Sequence, residues 1–137
     1  MSVKIKSYPV MFLNEKNING RVYTEESISG EIGKSVPVMS SFEEDAIQLG
    51  ITSELKIEDG KLITDIIITD EQFSNLLKTE IGRSSVGFVT SGYGDYLPDG
   101  ETIVKVEDLK VVSNLKKESA FNKHHSYEME IEDETTN

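Results

Sequence analysis

Cysteine is absent from this 137-residue chain, which removes disulfides, thiolate metal sites and cysteine nucleophiles together. Long apolar runs are absent too. The longest purely aliphatic stretch, Ile66-Ile67-Ile68, falls far short of the roughly 20 apolar residues that a membrane-spanning helix needs. The first residues, Met-Ser-Val-Lys-Ile-Lys, alternate charged and apolar side chains and lack the apolar centre of a secretory signal, so export is not expected. Basic residues are scarce: 14 Lys and Arg against 25 Asp and Glu leave a net charge of -11, with a pI near 4.6. The densest basic stretch, Lys116-Lys117 through Lys123, is short and interrupted by Glu118. Such a surface repels nucleic acid and anionic membrane alike, and neither is an expected partner. An acidic exterior mainly keeps a chain soluble and selects the partner surfaces it attracts.

What is present suits one domain of ordinary size. Apolar residues make up 36% of the chain, about 43% with the ten glycines counted, enough for a single small core. Residues 3–13 read as a strand, with Pro9 marking an edge or a bulge. Asn17 to Arg21 is turn chemistry, because Asn-Gly readily supplies positive φ. Thr24 can N-cap a short turn over Glu25, Glu26, Ser27 and Ile28, both acids lying at the favourable dipole end, with Gly30 and Gly33 to stop it.

The middle is the most legible stretch. Leu55 and Ile57 alternate with Lys56 and Glu58, Asp59-Gly60 supplies a corner, and Lys61–Ile68 is rich in β-branched residues; together they predict a β-hairpin. Thr69 or Asp70 then offers an N-cap, and Thr69-x-x-Gln72 has the form of a capping box. Phe73, Leu76 and Leu77 form one apolar stripe on a helix of about ten residues, ended by Gly82. A strand over 85–93, a Pro98-Asp99-Gly100 turn and a long strand over 102–112 complete the reading. The stretch Asp95 to Glu101 lacks the alternating ligand spacing of a calcium loop and reads as a turn. Gly92-Tyr93-Gly94 has no phosphate-loop Lys-Ser/Thr after it. Phe12, Tyr23, Phe42, Phe73 and Phe88 are expected in the core. From Ser126 onward there are acids and no bases, a composition that predicts a solvated tail.

Read in order, these pieces resemble the prohead (capsid-maturation) serine proteases of tailed bacteriophages, distant kin of the herpesvirus assemblins. Five segments over residues 8–121 carry the resemblance. Asn14-Glu-Lys-Asn-Ile-Asn-Gly-Arg-Val-Tyr23 is similar to the family's Asn-x-x-Gly-Arg-x-Tyr-Pro segment, with Thr24 where Pro is common. Val36-Pro-Val-Met-Ser-Ser-Phe-Glu43 resembles the apolar strand that runs into the catalytic His. Ile47-Gln-Leu-Gly-Ile-Thr-Ser-Glu54 and the hairpin after it are similar to the Ile-Gly-x-Val stretch and its paired strands. Gly82-Arg-Ser-Ser-Val-Gly-Phe88 resembles the Gly-x-Ser-x-Gly-(Phe/Tyr) nucleophile strand. Leu109-Lys-Val-Val-Ser-Asn114, with Ala120, resembles the closing strand and its Val-Ser-x-x-x-Pro-(Ala/Ser) continuation, with Lys117 or Glu118 about where the Pro would be.

The strand-rich pattern predicts a mainly β (α+β) fold with one or two short helices and, from its non-local pairing, a partly closed β-barrel, followed by an acidic, flexible tail over 124–137; the resemblance implies that the barrel, over residues 1–123, is assemblin-like. It places the nucleophile at Ser85, with Ser84 as the less favoured neighbour. The base falls at Phe42, or at Ser41 if the register slips by one, and neither accepts a proton at neutral pH. A serine hydroxyl is a poor nucleophile without an adjacent base, and triad knockouts lose about 10⁶ in turnover. His124 and His125 follow the nucleophile, where assemblins place only an orienting second His, and otherwise read as a surface pair. Glu43, Glu44 and Asp45 lie just past the vacant position, but adjacent acids repel one another and read as a solvated loop; Lys34 and Lys56 are the candidates for a Ser-Lys dyad. Ser84 and Ser85 also have a purely structural reading, as small residues where the backbone packs closely.

The expectation is therefore a bacteriophage head protein with an inactive protease-like fold, with no catalytic residue, cofactor or metal. It would bind major capsid or scaffold protein as a capsid-associated or decoration protein, with a homo-oligomer left open. Its expected location is the virion and the host cytoplasm. The alternatives are an active prohead serine protease with an unconventional base, cleaving scaffold and capsid proteins, and a regulator of the phage's own protease.

Overall fold

The computed structural model describes residues 2–17, 20–114 and 131–133. Its strands are β1 (Val3–Phe12), β2 (Pro37–Met39), β3 (Gln48–Thr52), β4 (Lys56–Glu58), β5 (Lys61–Ile68), β6 (Gly87–Tyr96), β7 (Ile103–Asn114) and β8 (Ile131–Asp133). Its helices are α1 (Glu25–Ile28), followed by a 3-10 turn at Ser29–Glu31, then α2 (Glu71–Leu77) and α3 (Glu80–Ser85). The strands form one sheet in the order β6-β7-β2-β3-β5-β1-β8, with β4 added to β5. The molecule is mainly β, its sheet curled into a half-barrel beside a few short helices, which is the class expected. Tyr8 of β1 brings the sheet round towards β6: its hydroxyl accepts from the Phe88 amide at 3.1 Å, and the two rings meet edge to face.

Local chemistry explains most elements. Thr24 caps α1 by accepting from the Ser27 amide, and the Ser27 hydroxyl accepts from the Thr24 amide in return. Asp59 (φ 51) and Gly60 (φ 73) turn the β4–β5 hairpin through two successive left-handed residues, the geometry that joins twisted strands tightly. The Pro98-Asp99-Gly100 turn is held by the Asp99 carboxylate, which accepts from the Glu101 and Thr102 amides and the Thr102 hydroxyl. Those bonds hold the Asp99 carboxyl below the usual carboxylate range.

The curl is built from bulges. In β1 the buried residues run Val3, Ile5, then Tyr8, a jump of three in a period-2 strand. An extra residue between Ile5 and Tyr8 resets the parity, so Tyr8 stays on the core face instead of flipping out. Pro9 lies between this irregularity and a second one before Met11. In β7 the buried series Ile103, Val106, Leu109, Val111 is reset twice in the same way. A bulge frees backbone groups from the ladder, and two carboxylates collect them. Ser7 (φ 48) donates its amide to Asp65 at 2.8 Å. Beyond Asp108 (φ 54), the Leu109 amide donates to Glu31 at 2.9 Å.

Glu31 is only 3% exposed, and Lys34 reaches in to its other oxygen at 2.7 Å. Burial works against its charge, but the Lys34 ammonium and the Leu109 amide outweigh it, so its carboxyl titrates below the ordinary value. Gly50 marks a second constraint. It pairs with both Val38 and Ile68, and a Cβ there would lie 1.9 Å from the Ile67 carbonyl oxygen. Only glycine lets β3 approach β5 so closely.

Several expectations are corrected. The ten-residue helix is two, because the Thr79 hydroxyl both donates to the Leu76 carbonyl and caps α3 by accepting from the Gly82 amide. Gly82 lies inside α3 rather than ending a helix; a Cβ on it would fall 1.9 Å from the Leu76 oxygen, so it serves close packing. Of the two caps offered, Asp70 is the one used, so the Thr69-x-x-Gln72 capping box does not form. The buried stripe of α2 runs through Phe73, Ser74 and Leu77, while Leu76 faces out. Phe88 is buried and Phe12, Tyr23 and Phe73 pack against the core, but Phe42 is 63% exposed. Residue 85 closes a helix, and the strand starts at Gly87. Of the expected free tail, Ile131–Asp133 instead pairs with β1 opposite Val3 to Ile5; its other residues, His124 and His125 included, lie outside the described residues.

Two variants test these constraints by urea unfolding. Gly50→Ala should cost about 3 kcal/mol, since backbone rather than a yielding side chain opposes the added methyl. Glu31→Ala should cost about 1–3 kcal/mol by leaving the buried Leu109 amide unpaired. A carboxyl held below its unfolded value of about 4.3 lends stability that is complete above that pH and lost as pH falls through its folded value. The stability gap between wild type and Glu31→Gln should accordingly narrow below about pH 4.

Candidate functional site

Strand directions decide which residues meet. β7 runs parallel to β2 and antiparallel to β6, so the end of β2, the end of β7 and the start of β6 share one rim of the half-barrel. The register places Met39 beside Val112, and Phe88 beside Ser113. The Ser113 hydroxyl donates across the rim to the Ser40 carbonyl at 3.1 Å. Ser85, two residues before β6, and Phe42, three residues after β2, therefore flank the same end of β7.

Among the described residues, the side chains at that rim do not form a proton-transfer pair. The Ser85 hydroxyl is exposed and donates to the Ile81 carbonyl of its own helix at 2.7 Å. A hydroxyl proton held by a carbonyl oxygen is not being withdrawn by a base, and the oxygen gains no nucleophilicity from the contact. Ser84 shares the same helix. Phe42 lies in the 40–47 loop, which is closed by the Ser40 amide donating to the Ile47 carbonyl and the Ile47 amide donating to the Ser40 hydroxyl. Ser41 accepts from the Glu43 amide within that loop.

The substitute bases fare no better. Glu43, Glu44 and Asp45 are exposed on the loop. Lys34 is engaged with Glu31. Lys56 pairs opposite Ile63 towards the other end of β5, away from the rim where β5 ends beside the start of β3. The two histidines lie outside the described residues. No group of three or more His, Asp or Glu side chains suited to a metal occurs among the described residues.

What the rim does present is apolar. The segment α2–α3 leads from the end of β5 to the start of β6 and closes this end of the half-barrel. Inward, Phe73 packs edge to face near Phe88 at 6.3 Å between ring centres, Leu77 is fully buried, and the Ser74 hydroxyl donates to the Ile68 carbonyl. Outward, Leu76 and Ile81 stand in solvent, beside the rim that carries Phe42 and Ile47. Sequence reasoning missed this surface because Leu76 fits a helical stripe as well as Leu77 does; only the break at Thr79 turns it out. Glu31 was missed too, its one clue being Lys34 three residues on.

Searches of protein-family models, curated proteins and solved structures return no match to this chain.

Removing the Ser85 hydroxyl should be nearly neutral. Ser85→Ala is expected to shift unfolding free energy by no more than about 0.5 kcal/mol, since its bond to Ile81 is an exposed contact within one helix. A larger loss in urea titration would mean that the hydroxyl has a further partner.

Proposed function

We propose that this chain is a bacteriophage head protein that keeps a prohead-protease-like fold without a working active site and acts by binding capsid or scaffold subunits. The reading is supported by the ordered resemblance of five segments, set on a curled β sheet of the expected class. The observation that carries it is the pairing at the rim: an exposed phenyl ring at the base position, and a Ser85 hydroxyl turned to the Ile81 carbonyl. A chain in this condition contributes surface rather than bond cleavage. Among the described residues β6 pairs only with β7, leaving a long strand edge of the kind that can take up a neighbour's strand.

Co-sedimentation with proheads and mature virions tests the binding role; absence from both defeats it. A fluorophosphonate probe tests the chemistry. No labelling is expected, and no cleavage of scaffold protein. Labelling abolished by Ser85→Ala, together with scaffold proteolysis, would establish the active protease instead.

A further inference from the structure

The closed end of the half-barrel combines two properties that seldom coincide on an acidic protein. Four large apolar side chains stand in solvent there: Phe42 (63% exposed) and Ile47 (58%) on the 40–47 loop, Leu76 (38%) and Ile81 (79%) on α2 and α3. Backbone bonds hold the two carriers at the same rim. The Thr69 and Asp70 amides at the start of α2 both donate to the Leu49 carbonyl, two residues beyond Ile47. On the other flank, Ser113 joins the loop at Ser40 to the strand pair that α3 enters.

Carboxylates share the two carriers with these side chains. Glu43, Glu44 and Asp45 lie exposed between Phe42 and Ile47, and Glu71 and Glu80 lie exposed on the helices. Among the described residues of the two carriers the bases are Lys78 and Arg83, both half-buried, and the Arg83 guanidinium is engaged by the Leu77 and Lys78 carbonyls. Apolar centre and acidic rim together specify a partner with apolar side chains flanked by Lys or Arg. The two carriers are helices and a closed loop rather than strands, so recognition by them is through side chains.

We infer that this rim, formed by residues 40–47 and α2–α3, docks a basic amphipathic helix of a partner protein. Its apolar face covers Phe42, Ile47, Leu76 and Ile81, and its Lys and Arg side chains meet the surrounding carboxylates. A second copy of the chain brings the same acids and is repelled, as is an anionic membrane. Docking of this kind needs no phage head: failed co-sedimentation with proheads leaves it standing, and its own failure leaves that assay's outcome untouched.

The probe is a synthetic helix of roughly 18 residues, about five turns, with Leu on one face and Lys elsewhere. It is titrated into the full ¹⁵N-labelled chain while amide shifts are followed. Saturable shifts confined to residues 40–47 and 70–85 are expected, weakening as salt is raised. The double variant Phe42→Ser/Ile81→Ser should bind about tenfold more weakly. Both side chains are exposed, so an unchanged urea midpoint separates lost binding from lost fold. A Glu43→Gln/Glu44→Gln/Asp45→Asn variant should weaken binding and flatten its salt dependence. The proposal is overturned by shifts elsewhere or none, by equal binding of a Leu/Glu helix or a scrambled Leu/Lys peptide, or by indifference to either variant. Self-association in sedimentation equilibrium that Phe42→Ser/Ile81→Ser abolishes would identify a second copy as the occupant and overturn it equally.

Discussion

Where β7 passes Asp108, its backbone turns through the left-handed region, and the amide of Leu109 leaves the regular ladder. On one side of this point a short bridge joins Val22 to Thr102; on the other, β2 pairs with Val111 and Val112. No strand fills the gap between them among the described residues, and the Glu31 carboxylate does so instead. Lys34 balances the charge that burial would otherwise make costly. With this amide satisfied, β7 can bulge. The bulges let Ile103, Val106 and Leu109 share one face while the strand bends, because each inserted residue restores parity and adds twist. Asp65 plays the corresponding part for β1 at Ser7. A curled sheet with a single core thus rests on two carboxylates far from either strand in sequence.

The curl has consequences at the rim. Bending the sheet brings Tyr8 against Phe88, so β1 and β6 approach and the end of the half-barrel can be closed by one short helical segment. That segment splits at Thr79, whose hydroxyl serves one helix as donor and the next as acceptor. The split sets Gly82 hard against the Leu76 carbonyl and makes residue 85 the last turn of a helix rather than part of a strand. The chemical fate of Ser85 follows. A serine at a helix end has a carbonyl four residues back within reach, and here its proton goes there.

The same rim carries the functional argument. An enzyme of the resembled type would hold an imidazole opposite the serine; here a phenyl ring stands in solvent and acids crowd the loop. Among the described residues this rim carries exposed apolar and acidic side chains. Binding and cleavage place opposite demands on such a rim, since a cleft must exclude water around reacting atoms whereas a docking face needs area and charge.

Much of the local structure is legible in the sequence. The Asp59-Gly60 corner, the Thr24 cap and the β-rich class all follow from local rules, since a left-handed residue pair, a side-chain oxygen at a helix start and a period of two act within a few residues. The misreadings share one cause. Leu76 and Phe42 are apolar, and composition alone puts both inside; which face of α2 meets the core depends on Phe88, a partner in a distant strand. Gly82 reads as a stop until the second helix packs on the first. Glu31 reads as a surface acid until a bulge some 78 residues later presents an unpaired amide to it. Local propensity thus wrote the elements and their turns, while the choice of faces, the buried charge and the surface left for a partner depended on contacts between strands remote in the chain, which no window of neighbouring residues contains.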